Sequence, residues 1–267
     1  MKKEFFKELN INYYKKYEKE KEIIKNNYEK VVNLIEKLWD IDSKRPTINI
    51  YIFISDFKYI LCASNWFFII LRFTILLPHW LLRGRKRWKK WRGVSGFQKK
   101  EPSILIKPME HYNYYTNKNF FKYTNLYLDN KKEKIFKSTF CHEIFQVYTH
   151  DLKLPAWLKQ GLAIITEEYF LDKKMILSKS INLLKEKHLD ELDEKYSTYI
   201  LIKGYWTVRY LEEKYPDFLK KTIKKYREEE IVKEIGKKLG LNINNKDELW
   251  EQIDDLLYDH YQYLLEE

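Results

Sequence analysis

Cysteine is almost missing from this chain. Cys62 and Cys141 are the two among 267 residues, too few for a disulfide framework, which excludes a small stapled secreted scaffold. Internal repeats and low-complexity linkers are missing as well, and the length suits one sizeable domain, or one with a helical extension. The opening MKKEFFKELN places acidic residues where a signal peptide needs an apolar stretch, so the expected location is the cytoplasm. A clean membrane span is also wanting. Tyr59 to Leu82 is the most apolar stretch and approaches the roughly 20 residues a span requires. Arg72 sits in its middle, however, and Pro78 and His79 interrupt its end, which favours a buried or interfacial helix.

What the chain has in excess is positive charge, a formal +11. Such a balance attracts anionic partners without specifying one. It is concentrated in RGRKRWKKWRG, where Arg85, Lys86, Arg87, Lys89 and Lys90 crowd around Trp88 and Trp91. Basic residues interleaved with indoles suit an anionic membrane surface, with the rings at headgroup level, and would make the protein peripherally membrane-associated. A solvated surface segment is the plain alternative. No nucleic-acid-binding motif accompanies the run, which disfavours nucleic acid as the partner.

Periodicity gives the fold class. Apolar residues recur at helical spacing from Tyr14 to Trp39. Thr47 to Ser55 is short, β-branched and aromatic and predicts a buried strand; Ser103 to Pro108 predicts a second and Tyr123 to Asp129 a third. Beyond Lys137 the pattern is helical: Thr139 to Thr149, Ala156 to Phe170, a segment near Ile176 to Leu184, Tyr199 to Tyr215, and more helix to the end. The expectation is an α+β fold, a small mixed sheet with helices followed by a helical C-terminal half. The expected division is an N-terminal helical extension over 1–45 and one domain over 46–267. That domain has an α/β part over 46–150, with the apolar and basic insertion at 59–93, and a helical part over 151–267.

Chemistry concentrates in CHEIFQVYTHDLKLPAWLKQGLAIITEEYF. His142 is followed by Glu143 on a predicted helix that breaks at Leu154 and Pro155. In an HExxH helix two histidines one turn apart hold zinc on one face, and the adjacent glutamate is the general base for the metal-bound water. The block His142-Glu143, then LPAWL (Leu154 to Leu158), then GLA (Gly161 to Ala163) resembles the peptidase MA-like branch of the gluzincin zinc metallopeptidases, whose motifs read HExxH and WLxEGLA. KGYWTVRYLEEKYPDFL, Lys203 to Leu219, is similar to an aromatic-rich helix behind the site in that branch. The resemblance covers roughly Thr47 onward. It implies a mixed sheet ahead of the zinc helix, a helical tail behind it, zinc as the metal, His142 as first ligand and Glu143 as general base. It also implies an oxyanion-stabilising tyrosine, for which Tyr205 is the candidate; a plain core aromatic is the competing reading of that residue.

Two positions depart from the family pattern. Gln146 stands at the second-histidine position and Gln160 at the third-ligand glutamate, and an amide oxygen is a poor zinc donor beside imidazole or carboxylate. Nearby residues do not replace them. His150 lies about 80° round the helix from His142 and roughly 12 Å along it, and Glu167 is two turns from Gln160, roughly 10 Å away. Glu168 reads as a supporting or surface carboxylate, and Cys141 points about 100° off the ligand face. The expected function is therefore a pseudo-peptidase that binds a peptide or protein partner with little or no turnover. The alternatives are an active zinc peptidase with unconventional ligands, and a membrane-surface or nucleic-acid-binding protein that uses the basic tryptophan-rich segment.

Overall fold

Leu9, Ile11 and Tyr13 are buried and alternate with Asn10 and Asn12, the period of a strand. They form β2 (Leu9–Tyr13), which folds back on β1 (Lys2–Phe6) as an antiparallel hairpin closing at Phe6↔Leu9. Lys7 takes a positive φ of 52° in the two-residue turn. Residues 1–13 thus contribute strands where a helical extension was expected. In this computed structural model the described residues are 1–41, 45–53, 93–98, 101–114, 122–125, 132–185, 194–243 and 246–266. The apolar stretch Tyr59 to Leu82 and the basic run from Arg83 to Arg92 lie outside them.

The chain divides into two compact units, and the division differs from the one expected at residue 45. The first unit comprises Met1–Asn33, Ser43–Asn117 and Asn130–Tyr148; the second comprises Leu34–Asp42, Lys118–Asp129 and Thr149–Glu267.

The first unit is built on a five-stranded mixed sheet of order β1-β2-β3-β5-β4, with β3 (Ile48–Ile52), β4 (Gly93–Gln98) and β5 (Glu101–Ile106). β2, β3 and β5 run parallel, and β1 and β4 are antiparallel edges. Register puts Ile11, Ile50 and Ile104 in one row and Ile52 beside Ile106, so the three parallel strands share rows of buried aliphatic side chains on one face. On the other face Asn10 donates to Asn49, and Asn49 to Glu101, while Tyr51, Phe53 and Leu105 form an apolar cluster with Tyr14 against it. β3 and β5 fall on the strands expected at Thr47 to Ser55 and Ser103 to Pro108.

A 3-10 turn at Lys15–Tyr17 leads into α1 (Glu18–Trp39). Its buried residues Ile24, Tyr28, Val31, Val32, Ile35 and Trp39 follow helical spacing. Asp40, at φ 52°, stops it in the left-handed conformation that closes many helices. Glu4 of β1 is clamped by two lysines of α1, Lys21 at 2.9 Å and Lys25 at 2.7 Å. The unit closes with α2 (Lys132–Tyr148), whose Tyr148 hydroxyl meets that of Tyr28 at 3.0 Å.

The second unit is helical: α3 (Ala156–Leu171), a 3-10 helix at Ser178–Lys185, α4 (Glu194–Lys214), α5 (Phe218–Lys225), α6 (Glu228–Leu239) and α7 (Lys246–Tyr261). In place of the expected third strand, the described part of Tyr123 to Asp129 makes an isolated bridge, Thr124 with Ile176; residues 126–129 lie outside the described set. Architecture overall is α+β, with a mixed sheet in the first half and a helical second half.

Candidate functional site

α2 is buried on nearly every side. From Ser138 to Thr149, all but His142 and Gln146 are buried, and these two, four residues apart, are half-buried. That spacing puts both on one helix face. The His142 ring and the Gln146 amide meet through Nε2 of each, 3.3 Å apart. Glu143, the next residue along, is buried and 7% exposed. Cys141 is fully buried. α2 ends at Tyr148, and His150 follows on a separate, exposed 3-10 turn, His150–Leu152, so it is not on the same helix as His142.

Pro155 caps the start of α3, placing the helix break where the sequence predicts it. Along α3, Trp157 to Glu168 are buried except Lys159 and Gln160, which are half-buried. Gln160 is thus one of the few polar side chains on this helix with a route outward. Glu167 and Glu168 are both buried, so Glu168 is not a surface carboxylate.

Glu168 joins three segments of the second unit. Its Oε1 accepts hydrogen bonds from the Tyr205 hydroxyl at 2.9 Å and the Met175 amide at 2.6 Å; its Oε2 accepts from Arg209 at 3.3 Å. Burial pushes its carboxyl above the ordinary range, partly offset by those donors. Tyr205 is 0% exposed and burial likewise pushes its phenol up, with the Glu168 charge adding to the shift. The tyrosine singled out as an oxyanion donor therefore donates its hydrogen bond to a buried carboxylate in the core of α3 and α4. Its neighbour Trp206 is equally buried, donating to Ser180 at 2.9 Å and packing on Tyr261 with the rings tilted by 46°.

Glycines explain why GLA and KGYW occur together. A Cβ on Gly161 would meet the Gly204 carbonyl oxygen at 2.2 Å, and one on Gly204 would meet the Trp157 carbonyl oxygen at 2.0 Å. α3 and α4 cross backbone to backbone at this pair, and no other residue fits. The sequence signal read as a site motif is therefore also the signature of a helix crossing.

A second polar cluster escaped the sequence reading. Lys203 donates to Asp254 at 2.6 Å, to the Tyr199 hydroxyl at 2.9 Å and to the Trp250 carbonyl at 2.9 Å, all with Lys203 and Asp254 buried. Tyr199 also donates to Asp254. Only the aromatic and charged composition of α7 hints at it, since nothing in one sequence pairs Lys203 with a residue 51 positions away.

Among the described residues, no three or more His, Cys, Asp or Glu side chains come together as a metal-holding group. The basic and aromatic candidates Arg85 to Trp91 lie outside the described residues. Among the described residues, no helix is long and apolar enough to cross a membrane. Comparison with family models, with curated proteins and with solved structures finds no match.

Proposed function

We propose that this chain is a metallopeptidase-like scaffold of gluzincin type whose zinc site has degenerated to HExxQ…Q, and that it binds a peptide or protein partner without turning it over. The observation that carries the reading is the His142–Gln146 pair on the half-buried face of α2. An HExxH helix would present a second imidazole there. This helix presents an amide, and the amide is already bonded to the imidazole.

The donor set does not fit zinc. Zinc takes thiolate, imidazole and carboxylate ligands, four in a structural site and three plus water in a catalytic one. α2 offers one imidazole on its half-buried face, and the position matching the family's third ligand carries the neutral amide of Gln160. Glu143 sits beside His142 as a general base would, yet a base acting on metal-bound water has no role where the metal is not held. What the half-buried face of α2 does offer is neutral hydrogen bonding: the His142 imidazole and the Gln146 carboxamide each donate and accept, which suits the amides of a peptide chain. A mixed sheet before α2 and helices after it support the gluzincin-like order of elements.

The test is restoration. Gln146→His together with Gln160→Glu is expected to gain one equivalent of zinc that the native chain lacks, measured by elemental analysis of protein purified without chelator. A double variant as metal-free as the native chain would mean that this scaffold was not built around a zinc site.

A further inference from the structure

We infer that Gln146 closes the His142 face to divalent cations by occupying the imidazole Nε2, beyond merely failing to be a ligand. The inference rests on the proposed function only in taking residue 142 as the metal-facing position. The two groups lie one helical turn apart on α2, and the contact is made by the ring nitrogen farthest from the backbone, 3.3 Å from the amide nitrogen. With that nitrogen as acceptor, its lone pair is directed at the amide N–H. With the amide turned over, the ring N–H is directed at the amide oxygen. Either arrangement takes the one in-plane direction along which Nε2 would bind a metal at about 2.0–2.1 Å.

Burial makes the pairing persistent. His142 and Gln146 are half-buried between neighbours that are fully buried, including Cys141, Ile144 and Phe145. A hydrogen bond with reduced access to water competes less with solvent than one on an open surface. An arriving cation must therefore break this pair before it gains its first ligand, and it gains no second strong ligand from α2 afterwards.

Removing the amide without adding a ligand separates blocking from absence. The imidazole resonances of His142 are followed by long-range nitrogen–proton correlation while zinc is added to the full chain, in native protein, Gln146→Ala and Gln146→Leu. The leucine variant keeps the side-chain bulk should alanine disturb the helix. The native ring signals are expected to stay in place under a modest excess of zinc. Both variants are expected to respond, with apparent affinity at His142 raised several-fold to about tenfold, the worth of one net hydrogen bond. Native ring signals that shift at one equivalent of zinc, or variants that respond no more than native, would overturn the inference. The second of these outcomes, in a native chain that remains metal-free, leaves the proposed function standing; tightly held stoichiometric zinc in the native chain removes both.

Discussion

At the scale of single residues, the glycines of α3 and α4 decide more than any titratable group. Any side chain at 161 or 204 forces backbone apart from backbone, because the contacted atoms are carbonyls and cannot swing away. Overpacking of this kind costs about 1–3 kcal/mol and more where backbone must move. Gly204→Ala is therefore expected to lower the melting temperature by about 2–12 °C, at about 2–4 °C per kcal/mol for a chain of this size. Calorimetry checks this; an unchanged melting temperature would show that α3 and α4 do not cross at this pair. Legibility at this scale was uneven for the same physical reason. His142, Glu143, Gln146 and Gln160 could be assigned to helix positions from sequence, because helical spacing fixes which face a residue occupies. Tyr205 could not be placed, because whether a tyrosine hydroxyl points into a cleft or to a buried carboxylate depends on Glu168, 37 positions away.

At the scale of elements, α7 is held on α4 by more than apolar packing. Leu249, Ile253, Leu257 and Tyr261 form its buried stripe, and Asp254 beside them is paired to Lys203. Burial pushes the Asp254 carboxyl up and the Lys203 ammonium down, so the charged forms of both are disfavoured by folding. The sign for Asp254 follows: its contribution to stability is greatest below its ordinary value of 3.8 and is lost as pH rises through the higher folded value. For Lys203 the contribution is greatest above its ordinary value of 10.5 and is lost as pH falls through the lower folded value. A buried pair of this kind adds little net strength to the docking, because desolvation of both charges offsets much of their attraction. Lys203→Met alone is expected to cost about 3–5 kcal/mol by stranding a buried carboxylate, while Lys203→Met with Asp254→Leu recovers most of that loss. Denaturant unfolding of the four corners of this cycle gives the coupling directly, and simple additivity of the two changes would contradict it.

The β1–β2 hairpin behaves in the opposite way. Hydrogen bonds from Lys25 and then Lys21 hold the Glu4 carboxyl down at about 2, against an ordinary 4.5. A depressed carboxyl contributes stability that is present above about 4.5 and lost as pH falls toward about 2. Glu4→Gln is accordingly expected to flatten the acid limb of the stability curve across that window, followed by fluorescence or circular dichroism. An acid limb of unchanged steepness would show that the clamp does not persist in solution. The hairpin was missed in the sequence, where residues 1–45 were expected to be helical. Leu9, Ile11 and Tyr13 alternate with two asparagines, but the turn at Lys7 and Glu8 carries no glycine or asparagine to announce it, and the charged residues before it resemble a helix surface.

At the scale of the whole molecule, the α+β order was legible because the period of hydrophobic residues changes from two to 3.6 near the start of α2. β3 and β5 announced themselves as runs of isoleucine. β4, GVSGFQ, did not, since glycine and serine give it no apolar alternation, and its place in the sheet is set by pairing with β5. The second half read correctly as helix, while its packing, through Gly161 and Gly204, through Glu168 and through Lys203, depends on pairs far apart in sequence that no local pattern encodes.

The proposal that a zinc site has been lost from a gluzincin-type scaffold is decided by the zinc content of the native chain. Protein purified without chelator and exchanged into metal-free buffer is expected to hold far less than one equivalent of zinc by elemental analysis, consistent with one imidazole and two amides at the three ligand positions. One tightly held equivalent would contradict the account and make the chain a zinc protein with a different ligand set.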